Sequence, residues 1–500
     1  MAPPADLHLD APCRKLLGEL AAFFEARSVE AYATGGFLRD ALARIPIHDI
    51  DLSVRADPLV LGRELADGFA GHYFALDEER QRARVLIPDR EIHIDLMLLD
   101  GDIEADLRAR DYTIDALAAP LHEVASGRAQ LIDPTGGLAD LRAGLVRATS
   151  EDALREDPLR LLRGPRIATQ LGFRIEPGSH ELIRRNASLI NEAAVERQRD
   201  EVMRIFGTQR ASAGLRLLEE LGLFAQVFPE MEVTRDVEQP KEHYHDVLGH
   251  SIAAVEALDY LMVDRQPRAE PWRTLWADLW PPLDWCEGLR DYFAEEVVMG
   301  TRRLALLKLC ALLHDIGKPE TKSFQEDGRM RFFGHGDAGA RIAVGLMRRM
   351  HFSAREIAIV KPMIEAHLRP IQMAQQGAPS RRAVYRFFRD TGEAGIDTLF
   401  LSLGDHLGTV GPRVSFEGFR AHAALTGHIL RMRFQEQAIV SPPRLLRGDE
   451  LMAALGLAPG PLVGELLEAV REAQAAGEVS TRQEALALAR GLLAERTPAA

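Results

Sequence analysis

Two periodicities divide the chain. From about residue 28 to 120, short alternating runs change places with helical ones. Ala31–Thr34, Asp49–Val54, Arg84–Ile87 and Ile92–Leu98 read as strands, while Pro58–Phe69 and Thr113–Ala118 read as helices. Beyond about 150, apolar residues recur at helical spacing: Leu159–Leu171, Glu201–Ile205 and onward, Ala213–Leu221, Ser251–Leu261, Arg303–Leu313 and Ile342–Met350. The pattern predicts an α+β protein, with a mixed β-sheet head followed by a largely all-α remainder. A Pro- and Trp-containing stretch, Gln266–Trp285, is expected to be a loop insertion, and Ser441-Pro442-Pro443 a linker. No repeat of fixed period is present.

Composition changes this picture little. A chain of 500 residues is too long for one core, so two to four domains are expected. No apolar run approaches the roughly 18–20 residues that span a bilayer. The start, MAPPADLHLDAPCRKLL, does not read as a signal peptide. The three cysteines, Cys13, Cys286 and Cys310, are far apart and lack metal-type spacing. A reducing, cytoplasmic setting is expected. The net charge of −14 argues mildly against a nucleic-acid partner. Its distribution qualifies that, because every basic residue from Arg142 to Arg210 is an arginine, a planar fork suited to phosphates and base edges. A solvated, ion-paired helical surface would account for the same composition.

The strongest chemical signal is ATGGFLRDALARIPIHDIDLSV, Ala33–Val54. Gly35-Gly36 follows a strand and opens a helix, where backbone N–H groups can approach an anion. That helix carries Arg39 and Asp40. Asp49 and Asp51 then sit two apart on a strand, so both carboxylates share one face. Paired carboxylates repel, and a divalent cation such as Mg²⁺ relieves this. Two such ions can activate a hydroxyl and stabilise a leaving pyrophosphate. A glycine turn or an Asp-x-Asp alone is usually structural; the combination, in this order, is specific.

The combination resembles the nucleotidyltransferase motif of the polymerase beta superfamily. The resemblance implies a third carboxylate from a neighbouring strand, for which Asp95 in IHIDLML is the candidate. Four further segments, in order, resemble bacterial tRNA nucleotidyltransferases and their poly(A) polymerase relatives. ARDYTIDALA (Ala109–Ala118) is similar to an element that binds the incoming nucleotide's sugar and phosphates, here through Arg110 and Asp111. DPTGGLADLRAG (Asp133–Gly144) resembles the hinge between head and neck, REDPLRLLR (Arg155–Arg163) the Glu-Asp-x-x-Arg helix, and VERQRDE (Val195–Glu201) the closing element of the neck. By that resemblance Gly35, Gly36, Arg39, Glu156, Asp157, Arg160 and Arg163 join the nucleotide site. Asp157 and Arg160, expected on one helix face at i and i+3, would read the edges of C and A.

This chain departs from the family pattern in several places. Ala109 replaces an arginine, and Asp115 an asparagine. Gly164-Pro165-Arg166 follows Arg163 where the family continues its helix through Ala-x-Arg-Phe, so Pro165 is expected to kink or break that helix. The stretch between Asp95 and Arg110 is short, which leaves open CC-adding, A-adding or poly(A) synthesis beside full CCA addition.

The middle of the chain carries a second pattern. His250, His314-Asp315 in LCALLHDIGKPETK, His335, His367 and Asp405 occur in the order of the HD phosphohydrolase superfamily. The resemblance implies a helical domain binding one or two metals, a transition metal by the ligand chemistry, with Lys318 near a phosphate. Gly448–Leu486 resembles the tail of the same family branch. The expected organisation is a nucleotidyltransferase head (1–148), a helical neck (149–235), an HD domain (236–440) and a C-terminal helical segment (441–500). Expected partners are tRNA, CTP and ATP, with no membrane, in a monomer or a homodimer. The competing classes are an HD hydrolase with a degenerate head and a non-catalytic RNA-binding protein.

Overall fold

The computed structural model describes residues 4–47, 49–88, 92–374, 377–436, 440 and 442–496. Ser441 of the expected linker and His48 of the first motif lie outside the described residues. The chain forms two units, Met1–Gln198 with Leu217–Gln226, and Arg199–Arg216 with Val227–Ala500. Among the described residues, no helix is long and apolar enough to cross a membrane.

The first unit is built on a six-stranded mixed sheet. Helix α1 (Ala11–Glu25), whose N-terminus is capped by Asp10, precedes strand β1 (Ala31–Thr34) and helix α2 (Gly35–Ala43). Strand β2 (Asp49–Val54), helix α3 (Pro58–Gly68), and strands β3 (His72–Asp77), β4 (Arg82–Ile87), β5 (Ile92–Leu98) and β6 (Ala118–Pro120) follow. The spatial order is β3-β4-β5-β2-β1-β6. Only β2 and β5 run parallel; the other neighbours are antiparallel. Period-two alternation buries Ile50, Leu52, Val85, Ile94 and Leu96 against α1–α3, and leaves the opposite face for the polar positions.

The expected helix at Thr113–Ala118 is instead a single 3₁₀ turn, Thr113–Asp115, running into β6. Six mostly apolar residues carry too little pattern to separate the two, and pairing of Ala118 with Thr34 decides for the strand.

Two helices, α4 (Glu151–Glu156) and α5 (Arg160–Leu171), follow the sheet. Pro165 lies inside α5, which neither kinks into separate pieces nor ends there. The break falls at Asp157, which is extended (φ −132°, ψ 96°). A proline ring crowds the N–H and Cβ of the residue before it, so Asp157 turns extended before Pro158, whereas Gly164, without a Cβ, stays helical and Pro165 costs α5 only the bond to Leu161 O. Helix α6 (Val195–Phe206) crosses the boundary between the units.

The second unit is helical apart from short hairpins. Helices α7 (Val247–Leu261), α8 (Trp272–Leu279), α9 (Arg303–Leu313), α10 (His335–Arg349), α11 (Ala354–Ala366), α12 (Gly395–Val410) and α13 (Phe416–Gln435) make its main body. Helix α7 lies between α9 and α12, and α11 packs on both of those. The stretch expected as a loop insertion contains α8. Leu275 and Leu279 are buried at helical spacing, and Trp276 and Trp280 donate to the carbonyls of Val263 and Leu261. Three tryptophans at this spacing supply apolar area that the flanking prolines masked. Helix α14 (Pro461–Ala476) and its neighbours form a separate small core around Leu451, Leu466, Val470 and Ala485.

Candidate functional site

The parallel register of β2 and β5 pairs Asp51 with Asp95 and Asp49 with His93. The three carboxylates therefore share the open face of the sheet: the spacing predicts this for Asp49 and Asp51, and the register adds Asp95. Asp49 is exposed, with His93 Nδ1 3.2 Å away. Asp51 is partly buried, and burial, followed by the neighbouring Asp95 and Asp49 charges, raises its pKa to about 6. Hard oxygen donors of this kind fit a divalent ion such as Mg²⁺.

Gly35 opens α2 at φ +67°, a conformation that disfavours side chains. A Cβ there would lie 3.1 Å from both Arg110 Nη1 and Asp51 Oδ2. The glycine thus brings a helix N-terminus against the carboxylates. Gly36 lies beside the Arg39 guanidinium. Arg39 is buried and donates to Asp40 (2.8 Å) and to Asp115 (2.7 Å). The carboxylate that replaces the family's asparagine is thus a counter-ion for Arg39. Burial still raises the Asp115 pKa against the pull of Arg39. Arg110 donates to Asp106 (3.1 Å) and Ser53 Oγ (3.2 Å), which aims its guanidinium along the carboxylate row.

Asp111 accepts from Arg163 Nη1 (2.6 Å) and from the Tyr112 N–H (2.9 Å). Burial opposes its ionisation, but Arg163 holds its pKa below the usual range. Asp157 and Arg160 do not share a helix face, because Asp157 lies in the break before α5. Asp157 pairs instead with Arg197 (2.8 Å). Arg160 donates to the carbonyls of Ala153 (2.9 Å) and Ala109 (3.2 Å), and Glu156 stands 3.8 Å from it.

In the second unit the six residues singled out by sequence converge. His250 Nε2 lies 3.1 Å from His314 Nε2, and His335 Nε2 3.2 Å from His367 Nε2. Asp315 sits between the pairs. Its Oδ2 faces His250 (3.1 Å) and His314 (3.2 Å), and its Oδ1 faces His335 (3.5 Å) and His367 (3.8 Å). Asp405 joins the first pair, 3.2 Å from His250. These residues form three overlapping ligand groups, all buried. The Nδ1 atoms of His314, His335 and His367 lie 2.7–2.8 Å from the carbonyls of Ala311, Phe332 and Ile364. A carbonyl can only accept, so each Nδ1 carries a proton, and in a neutral ring Nε2 then turns a lone pair inward. Burial keeps His367 neutral, while against burial Asp315 and Asp405 raise the His314 pKa to about 10. Two such lone pairs face each other in the His335–His367 pair, an arrangement that a cation relieves. Neutral imidazoles with carboxylates suit a transition metal. Lys318 lies 2.6 Å from Asp315 and donates to Gln239 (2.6 Å).

Several partners escape the sequence reading: Arg84, Asp106, Arg197 and Gln239. For Arg84 the signal is present. In RARVLI, Arg82 and Arg84 alternate with Ala83, Val85 and Ile87, which puts both arginines on the polar face.

The chain matches the family model for the poly A polymerase head domain over residues 31–147. It also matches the RNA and SrmB-binding site of polymerase A (172–234), the HD domain (288–407) and tRNA nucleotidyltransferase domain 2 (428–489). The HD match begins after His250. An A-adding tRNA nucleotidyltransferase of Deinococcus radiodurans is 35% identical over 474 residues, covering 94% of this chain and 96% of that protein. A CC-adding tRNA nucleotidyltransferase of Thermus thermophilus is 32% identical over 467 residues, covering 92% of each. The fold is shared with a solved CCA-adding enzyme in complex with ATP (TM-score 0.60, 18% identity, 100% of this chain and 99% of that one). It is also shared with a Thermotoga maritima CCA-adding enzyme complexed with tRNA (TM-score 0.56, 18% identity, 99% and 100%). The chain therefore belongs to the tRNA nucleotidyltransferase family with a poly(A) polymerase-type head, whose members depend on a divalent metal.

Proposed function

We propose that the protein adds C, A or both to the 3′ end of tRNA, taking nucleotides from CTP and ATP without a template. The observation that carries this reading is the single face on which Asp49, Asp51 and Asp95 meet the N-terminus of α2 and Arg110. Asp49 and Asp51 would hold two Mg²⁺ ions, which when bound supply the charge that activates the 3′-hydroxyl and offsets the leaving pyrophosphate. The N–H groups at Gly35 and Gly36, together with Arg110, orient the triphosphate for in-line attack. Asp111 and Arg163, tied to each other, fix the sugar end of the nucleotide, and Arg39 with Asp115 braces α2 beneath it. Arg160 and Asp157 read the base edge after giving up Ala109 O, Ala153 O and Arg197; Glu156 flanks them.

In this reading residues 1–148 are the head, 149–235 the neck, 236–440 the HD domain and 441–500 the tail. The six assembled ligands favour a second activity, hydrolysis of a phosphate ester at the HD site by a bound transition metal. Lys318 would anchor the phosphate there.

The test is extension of tRNAs ending before C-C-A, after the first C and after C-C. CTP and ATP are supplied singly and together with Mg²⁺, and products are resolved at single-nucleotide length. Extension that vanishes in Asp49→Ala and Asp51→Ala is expected. Near-normal transfer by either variant refutes the assignment, and no extension on any substrate leaves the HD hydrolase as the function.

A further inference from the structure

The antiparallel register of β4 and β5 places Arg84 opposite Asp95, which lies opposite Asp51 across the parallel pair. One row thus runs Asp51, Asp95, Arg84 across three adjacent strands on the catalytic face. Arg84 Nε donates to Asp95 Oδ1 and Nη2 to Oδ2, both at 2.7 Å. This two-point fork takes both oxygens of the third carboxylate and fixes its plane. The pair is largely sheltered, with the Asp95 side chain 17% and the Arg84 side chain 35% exposed. A free third carboxylate would be a further anionic ligand for an incoming cation. A clamped one forms with the guanidinium a pair of no net charge, and its orientation is set from the side away from Asp51.

We infer that Arg84 is a positioning residue of the nucleotidyl transfer site: it holds Asp95 as a neutral pair, so that Asp49 and Asp51 alone set the affinity for divalent ions. The inference rests on the proposed function of the head. Strands pack about 4.8 Å apart, so Arg84 acts on an ion at Asp51 across roughly two strand spacings. One unit charge at that range changes the affinity for a divalent ion by about tenfold.

The experiment is a Mn²⁺ titration of the full chain, with free Mn²⁺ read by electron paramagnetic resonance. The head component is defined as the binding lost in Asp51→Asn, which separates it from the HD site. Arg84→Gln is expected to tighten that component about tenfold, because it leaves Asp95 charged. Asp95→Asn is expected to weaken it about tenfold, because it leaves Arg84 unpaired. The double variant removes both charges and is expected to return within about threefold of the wild type. Arg84→Lys keeps the charge and is expected to keep the affinity, with a lower kcat because the fork is lost. A double variant as weak as Asp95→Asn overturns the inference and makes Asp95 a direct ligand. Unchanged binding in Arg84→Gln overturns it as well, while the proposed head function stands. Absence of any component lost in Asp51→Asn overturns both.

Discussion

Gly164→Ala is the most informative single change. Alanine normally stabilises a helix interior by about 1 kcal/mol over glycine. Here the Cβ would sit 2.2 Å from Tyr112 Oη and 2.6 Å from Cζ. Tyr112 is fully buried, and its hydroxyl donates to Arg160 O at 2.7 Å, so the ring cannot simply swing aside. Overpacking of this kind costs about 1–3 kcal/mol, and losing the hydroxyl bond adds about 1 kcal/mol. The expected net loss is about 2 kcal/mol, or a Tm lowered by about 4–8 °C in a unit of this size. Tyr112→Phe removes the atom in closest conflict and forfeits only the bond. The double variant should therefore be more stable than Gly164→Ala alone, with a coupling of about 1–2 kcal/mol. All four tryptophans lie between Trp272 and Trp285, in the second unit, so their emission is blind to this change. Far-ultraviolet circular dichroism follows both units, and a transition that moves in dichroism but not in tryptophan emission isolates the first. Penalties that add within 0.5 kcal/mol, or a double variant worse than both singles, would refute the matched-pair reasoning.

Other expectations follow from the same geometry. Asp51, raised to about 6, keeps its proton between about pH 4 and 6 in the folded, metal-free state, where the unfolded chain has lost it. Stability of the first unit should therefore fall as pH rises through that window. Asp51→Asn should flatten the profile, and an unaltered slope in that variant would contradict the assignment. Arg160→Ala should raise misincorporation of UTP and GTP more than it slows turnover, as measured by single-nucleotide extension; fidelity at the wild-type level would remove Arg160 from base reading. Chelation should lower the melting of the tryptophan-reporting unit by an amount set by metal occupancy, about 2.7 kcal/mol at a hundredfold excess over Kd. Asp315→Asn should abolish that response and leave extension of tRNA within twofold.

Strict alternation made the catalytic strands legible. Asp49–Val54 and Ile92–Leu98 end where the pattern ends, and the pairing of Asp51 with Asp95 follows once the strands lie side by side. The order of the histidines and aspartates likewise carried the second cluster. What stayed hidden depends on which of two local rules wins. Both Pro158 and Pro165 are candidate breakers, and the break falls before Pro158 because Asp157 carries a Cβ that the proline ring crowds, while Gly164 before Pro165 has none. That choice removed the helix face expected to hold Asp157 and Arg160 together. The partners of charged groups were hidden for another reason. Arg197 and Gln239 are brought to their sites by tertiary packing, and residue type alone does not say which partner a charged group meets, whereas Asp106 meets Arg110 at i, i+4, a spacing already present in the sequence.

The two metal-type sites solve one electrostatic problem with different chemistry, and the difference explains why they can share a chain. In the head, every ligand oxygen belongs to a carboxylate, and Arg84 offsets one of the three charges. Such a site favours a hard cation that exchanges readily, which suits an ion that arrives and leaves with triphosphate and pyrophosphate. In the HD domain the candidate ligands are four imidazoles, which would be neutral donors to a bound ion, three of them fixed by backbone carbonyls, and Asp315 is shared between the two pairs. Lys318 offsets part of the remaining charge from 2.6 Å. Those ligands would prefer a softer metal and hold it among buried side chains. If the proposed assignments hold, Mg²⁺ should compete poorly for the histidines, and a competition of Mg²⁺ against a transition metal on the full chain checks this. A transition metal added in trace should then bind the HD ligands before the aspartates, and equal loss of binding in Asp51→Asn and Asp315→Asn would contradict that order.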